Sequence, residues 1–322
     1  MTGIEFMTRD TRQAMNEPND LLQLWQRPET DETYMLAGWR QWADAGNTSS
    51  GLVQYLVEQT GAPRIGLIKP THFYLFQAPG THHFLRPDVA LEEGLIKSHD
   101  IRRNEFHYWR NGHKGMVFFL GDEPHLNAEL YADIWLDAVE ALGVRRVICL
   151  GGVYGSMPYD REREIHAIYS LPRLKPELDH YAVKYSNYEG GSTIGAYLAF
   201  RAGQRGIELV DLYAFVPAYD FSQVSNQVQG LRIENDFQAW FDVMRRIRHM
   251  FELEIDLSDL ETRGLEMASS MDSQVEELSR RYPKLKVREL MQQLSDSFEE
   301  TPFMPLDDLL ARELGDLLDD LG

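Results

Sequence analysis

One cysteine, Cys149, is all that 322 residues contain, so an intramolecular disulfide is excluded and a reducing compartment is implied. It sits in Val147-Ile148-Cys149-Leu150, which reads as a buried strand, and its expected role is that of a small hydrophobe. Basic residues are also short: 32 Lys and Arg face 51 Asp and Glu, for a net charge of -19. Nucleic-acid binders need a basic face because phosphate counterion release drives their affinity, and no such face is legible. The same charge disfavours anionic membrane surfaces. Solubility, or a partner with a basic surface, is what the acidity serves. No stretch approaches the ~20 apolar residues of a membrane span. Residues 1–20 hold no apolar run of the secretory type, so the Asn47-Thr48-Ser49 acceptor pattern is set aside and a cytoplasmic protein is expected.

Standard catalytic signatures are missing too. There is no phosphate loop, dinucleotide turn, H-E-x-x-H, C-x-x-C or nucleophile elbow. No metal and no cofactor is expected.

What is present is a globular balance, with 43% hydrophobic and 26% charged residues and fifteen Phe, fifteen Tyr and six Trp to fill a core. Residues 1–30 read as a loose lead-in whose apolar cluster, Leu21, Leu22, Leu24 and Trp25, can pin it to the domain. Strand and helix patterns then alternate over residues 31–235. Strands are predicted at 34–38, 64–69, 105–110, 116–120, 144–150, 181–185 and 207–216, with a tight turn at Asn111-Gly112. Helices are predicted after Asn47 or Thr48, after Asn127, and from about Ser192, each of these residues being a potential cap. In the second helix Leu130, Tyr131, Ile134, Trp135, Val139 and Leu142 form the expected core side. Residues 71–103 read as irregular. This alternation predicts a mixed, mostly parallel sheet covered on both faces. Residues 236–322 carry leucines and charges at helical spacing and read as a helical C-terminal extension.

Candidate functional residues cluster at predicted strand ends. Gly151-Gly152-Val153-Tyr154 follows the strand 144–150, where open α/β sheets bind ligands; a tight turn that merely lets the chain leave the sheet is the simpler reading. The residues Gly121-Asp122-Glu123-Pro124-His125 offer acid/base or metal-binding groups, or carboxylates that cap the helix after Asn127. Glu189, Gly190 and Gly191 precede a helix start, an anion site or an ordinary cap by Ser192. Trp39, Trp42, Asp44 and Asn47 lie between the first strand and the first helix; the tryptophans read as core lids or binding anchors, and Asp44 as a cap or a base.

The same segments carry a resemblance. Gly38-Trp39 followed by Trp42-Ala43-Asp44-Ala45-Gly46-Asn47 resembles the signature of the proteasome assembly chaperone two family. Phe73-Tyr74-Leu75-Phe76-Gln77, Gly121-Asp122-Glu123-Pro124, Gly151-Gly152 with Met157-Pro158, the block from Tyr188 to Gly195, and Val216-Pro217-Ala218-Tyr219 resemble its further landmarks in the family's order, over residues 33–300. That resemblance implies a three-layer α/β/α domain of the phosphorylase/hydrolase-like type. It also implies homo-oligomers that bind protein partners, possible proteasome-like subunits among them, as chaperone or scaffold. By the same token Trp39, Trp42, Asp44, Asn47, Tyr74, Glu123, Gly151, Gly152, Tyr154, Glu189, Gly190 and Tyr219 are candidates for a cleft or partner surface. The alternative is a hydrolase or transferase using the strand-end cleft. This chain departs from the family where Pro158-Tyr159-Asp160 and Pro217-Ala218-Tyr219 stand in place of histidine-bearing turns, and where the chain ends Asp320-Leu321-Gly322 without the tyrosine of ring-docking archaeal relatives.

Leu310, Leu314, Leu317 and Leu321 recur at helical spacing after Pro305, predicting an acidic amphipathic helix over 305–321 that must dock to persist. Removing residues 303–322 is therefore expected to lower the melting temperature or change the oligomeric mass, read by calorimetry and light scattering.

Overall fold

The computed structural model describes residues 20–40, 42–76, 86–99, 102–221 and 230–305. The strands are β1 (Leu22–Leu24), β2 (Glu32–Arg40), β3 (Arg64–Ile68), β4 (Val89–Glu92), β5 (Leu95–His99), β6 (Asn104–Asn111), β7 (Lys114–Asp122), β8 (Val144–Gly155), β9 (Ile165–Tyr169), β10 (Lys184–Tyr185), β11 (Glu208–Tyr219) and β12 (Leu231–Arg232). The helices are α1 (Ser50–Thr60), α2 (Ala128–Ala141), the single turn α3 (Lys175–Leu178), α4 (Ile194–Arg205), α5 (Phe237–Phe251), α6 (Ser258–Arg281) and α7 (Val287–Ser297).

Ten strands form one mixed sheet in the order β1-β3-β6-β7-β2-β8-β11-β9-β10, with β12 added to β11. Its long central strands, β7, β2, β8 and β11, pair in parallel. The Asn111-Gly112 turn makes β6 antiparallel to β7, and β3 antiparallel to β6, so β3 again runs with the central set. The apolar cluster at 21–25 is the edge strand β1, antiparallel to β3.

Strict alternation sorts the two faces. Met35, Ala37 and Trp39 of β2, with Val147 and Cys149 of β8, pack under α2 and α4. Tyr34 and Leu36, with Ile148 and Leu150, pack under α1, α5 and the helices beyond. The result is the three-layer α/β/α architecture, with C-terminal helices completing one layer. No helix among the described residues is long and apolar enough to cross a membrane.

Several local expectations change. The strand expected at 181–185 shrinks to Lys184–Tyr185, because residues 179–181 close a tight turn. Ile165–Tyr169 is a strand that the charges around it concealed, and it pairs antiparallel with β11. The irregular segment contains the hairpin β4–β5. Leu130, in the first turn of α2, lies exposed rather than on the core side, which begins at Tyr131. The helix expected over 305–321 lies outside the described residues from 306 onward.

The α5 layer is held by charge. Arg163 is fully buried and clamps Asp236, Nε to Oδ2 at 2.8 Å and Nη2 to Oδ1 at 3.1 Å, while Asp236 caps α5 through the Ala239 N–H. Its backbone N–H donates to Asp242 at 2.7 Å. Arg246, also buried, donates to Glu162 and to the carbonyls of Tyr181 and Asp242. Removing one member strands the others without water. Arg163→Met is expected to cost about 3–5 kcal/mol, read as a shift in the denaturant midpoint.

Candidate functional site

The parallel strands deliver their C-terminal ends to one rim, where the loop after β2 meets the last part of β8, which runs on through Gly151 and Gly152 to Gly155 instead of ending at Leu150. Ala43 accepts the Gly152 N–H at 2.7 Å, and Asp44 pairs with Gly152 as an extra parallel bridge. A side chain at Gly152 would meet Ala45 O at 2.1 Å, so the glycine admits the chain's own loop. Gly151 is closed over by the Tyr213 ring in the same way.

Asp44 is a cap. One carboxylate oxygen accepts the N–H groups of Ser49 (2.9 Å) and Ser50 (3.0 Å), and the other accepts the Ser50 hydroxyl (2.6 Å). It thereby occupies the free donors at the start of α1, the role expected of Asn47 or Thr48. Burial pushes its carboxyl up to about 6 against the pull of those donors. Asn47 instead reaches Asn235 at 2.8 Å. Gly46, with φ of 62°, turns its carbonyl to both Trp240 Nε1 (3.1 Å) and the Asp236 N–H (2.9 Å), tying this first loop to α5.

Glu123 is also a cap, but of α4 rather than of α2. Its carboxylate accepts the Ile194 N–H at 3.0 Å and the Trp42 N–H, while burial pushes its carboxyl up. The Thr193 hydroxyl, not Ser192, accepts the Ala196 N–H at 3.1 Å. Asn127, expected to cap α2, spends its side chain on the His72 carbonyl. The rim therefore brings Asp44 against Gly152, and Glu123 against the start of α4, by hydrogen bonds of the chain to itself.

The two tryptophans separate. Trp39 is core, its Nε1 donating to Tyr131 Oη at 2.9 Å. Trp42 is 65% exposed. Tyr154, at the end of β8, is 48% exposed with the Arg232 guanidinium over its ring, and Tyr188, in the loop leading to α4, is 72% exposed. Glu189 and Gly190 are exposed beside it. Tyr74 lies inward, its hydroxyl 2.8 Å from Asp122 O and 2.9 Å from Asn104 Oδ1, and burial raises its pKa. Tyr219 is buried and donates to Met157 O at 2.6 Å. Tyr159, at one of the histidine departures, donates to Asp272 of α6 at 2.5 Å.

Of two acids deep in the fold, Asp122 belongs to the strand-end set expected to offer acid/base, metal-binding or capping groups, whereas Asp211 carried no expectation. Asp122, fully buried, is gripped by Arg40 (2.7 and 2.9 Å), Arg102 (3.4 Å) and the Arg103 N–H (2.6 Å). Asp211 lies under α4 where Gly195 leaves room; Tyr213 Oη donates to it at 2.5 Å and lies 2.5 Å from the Thr193 hydroxyl. An acid inside Leu209-Val210-Asp211-Leu212 was the available signal. Among the described residues no group of three or more His, Cys, Asp or Glu could hold a metal ion.

These features define a three-layer α/β/α protein whose parallel strands end in a rim of interlocked loops. The PAC2 family model matches residues 39–278, and the chain belongs to that family. Among solved structures it is similar to a PAC2 family protein from Streptomyces avermitilis, at 22% identity and a TM-score of 0.64 over 78% of this chain and 99% of that one. A proteasome-assembly chaperone homologue from Mycobacterium tuberculosis matches at 19% identity and 0.63, over 74% and 94%. An archaeal proteasome activator from Pyrococcus furiosus matches at 19% and 0.54, over 78% and 97%. At such identities the likeness establishes the fold. No curated protein matches the sequence.

Burial pushes Asp211 from an ordinary 3.8 up to about 7, opposed by the Tyr213 hydrogen bond. A carboxyl with a raised folded pKa stabilises most below its unfolded value, and that contribution fades as pH rises through the folded one. Between pH 4 and 7 the wild-type chain should thus lose unfolding free energy relative to Asp211→Asn, read by urea titrations at each pH. Parallel curves would refute the buried proton.

Proposed function

We propose that this chain is a non-enzymatic assembly chaperone or scaffold that works as a homo-oligomer in the cytoplasm and binds protein partners, proteasome-like subunits among them. The observation that carries this reading is the division of labour at the rim. The acids that could have served as general acid or base, Asp44 and Glu123, are spent on helix N-termini. The segments that carry these acids and the strand and loop beside them expose the rings of Trp42, Tyr154, at the end of β8, and Tyr188, in the loop before α4. Exposed Trp and Tyr on a rigid frame are the residue types that anchor protein interfaces, because each offers a large apolar surface with little rotamer entropy to lose. Nucleophilic catalysis needs an activated group within reach of a base. The chain's thiol, Cys149, is buried in the central strand, where burial raises its pKa. Family membership and the named roles of the mycobacterial and archaeal neighbours point the same way.

The test is a pull-down from native extract with the wild-type chain and with Trp42→Ala/Tyr188→Ala. Proteasome subunits should be recovered by the wild type and lost by the double variant, with both melting alike. Truncating such anchors typically costs ~2 kcal/mol or more each, enough to empty the eluate. Substrate turnover abolished by Glu123→Gln in a folded variant would overturn the reading.

A further inference from the structure

The passage from β12 into α5 faces one side of α6 across an open groove of about 870 Å³. Ligand sites commonly occupy ~300–1,000 Å³. Along α6, Leu260, Gly264, Met271 and Val275 are buried and recur at helical spacing, so they form the stripe turned to the core. At Gly264 the helix presses on α5, where a Cβ would stand 3.1 Å from Gln238 Oε1. Asp259, Glu266, Ser270 and Gln274 lie beside that stripe, stay exposed and line the groove. At ~1.5 Å per residue the stretch from 259 to 274 is ~22 Å long, the span of about seven residues of extended chain. That length suits a segment of polypeptide better than a small molecule.

The lining has two characters. Ile233 and Met271 are buried, and Phe237 and Met267 are half-buried beside them. Methionine side chains adapt to varied apolar partners. The two arginines of the lining are engaged by the chain itself. Arg263 holds Asp259 at 2.9 Å and lies over the Phe237 ring, and Arg232 lies over the Tyr154 ring. Glu234 and Glu266 are exposed and have no ion-pair partner among the described residues. Two open carboxylates therefore flank the apolar side chains.

Charge selects the occupant. A phosphate backbone would meet these carboxylates within the field of a chain at -19. Residues 306–321 carry six acids and one arginine, so the chain's own C-terminal segment brings the wrong sign. Two chains of this charge repel, so a second copy is the poorer fit to an acidic lining. A foreign segment with lysine or arginine beside an aliphatic side chain satisfies both characters. The groove also continues the rim. Arg232 meets exposed Tyr154, and Asn235 accepts the Asn47 amide at 2.8 Å.

We propose that the groove between residues 232–237 and α6 binds a basic linear segment of a partner protein. Glu234 and Glu266 take its cationic groups, and Met267 and Met271 its apolar side chain. This deepens the partner-binding reading above and rests on it. The probe is a fluorescein-labelled peptide of alternating lysine and leucine, read by anisotropy on the full chain at physiological salt. The wild type should bind it. Glu234→Gln/Glu266→Gln should weaken binding about tenfold, and Ser270→Trp should weaken it by filling the groove with every charge kept. Glu93→Gln/Glu129→Gln makes the same charge change outside the groove and should leave binding near the wild-type value. Equal losses from the two glutamine pairs would show attraction to overall charge and refute the groove, as would a peptide that Ser270→Trp leaves bound. A wild-type oligomer whose mass falls on Ser270→Trp, by light scattering, would make the occupant a second copy and overturn the foreign partner. Recovery of proteasome subunits in the pull-down above by a chain that does not bind the peptide refutes the groove alone. Peptide binding without that recovery keeps the groove and removes the proteasome-like partner.

Discussion

The carbonyl of Gly46 ties the first third of the chain to the last. It accepts two donors from the start of α5, the Trp240 indole and the Asp236 backbone, nearly two hundred residues away in sequence. Two residues earlier the Asp44 carboxylate fixes the start of α1, and one residue before that Ala43 pairs with β8. A loop of a few residues thus sets the position of two helices relative to the sheet. The absence of a side chain at Gly46 is essential, because a Cβ there would stand 2.7 Å from Asp236 and 3.1 Å from Val216. The positive φ would add strain to the clash.

The two helical layers are secured by different physics. Beneath α2 and α4 the packing is mostly aromatic and aliphatic: Trp39, Phe119 and Trp135 stack within 6 Å of one another. Beneath α5 the packing is interrupted by Arg163, Asp236, Asp242 and Arg246, all buried. Such groups cost desolvation, and their gain is geometric: a planar guanidinium fits a carboxylate in one orientation only. The charged set accordingly fixes where α5 sits. Phe303 extends the arrangement, its ring near Tyr181 and His249 and its N–H on Glu162.

Periodicity made much of this legible. β2, β7, β8 and β11 were readable because central parallel strands are buried on both faces and write unbroken apolar runs. Strand polarity made Asp44, Glu123 and Gly152 candidates for one cleft, since parallel strands send their C-terminal ends to one rim. Cap assignments were less legible. Asp44, read as a cap or a base, caps a helix that starts six residues later, while Glu123 caps one seventy residues away, which no local rule can detect. β4 and β5 were hidden for a related reason: strands whose residues are all exposed show no alternation between buried and exposed positions. The burial of Asp122 and Asp211 was not legible, because a buried acid is recognisable by its partners, Arg40 and Tyr213, which only the fold brings near.

Cys149 has a kinetic consequence. It occupies the middle of β8, between β2 and β11, in register with Ala37 and Asp211. A thiol reagent can reach it only when the most protected strands part, and its raised pKa slows reaction further during brief partial openings. The rate at which the native chain is labelled therefore measures the opening of the sheet's centre and is blind to fraying at β1 or β10. The protein carries a single built-in clock for its own unfolding, placed at the last part to open.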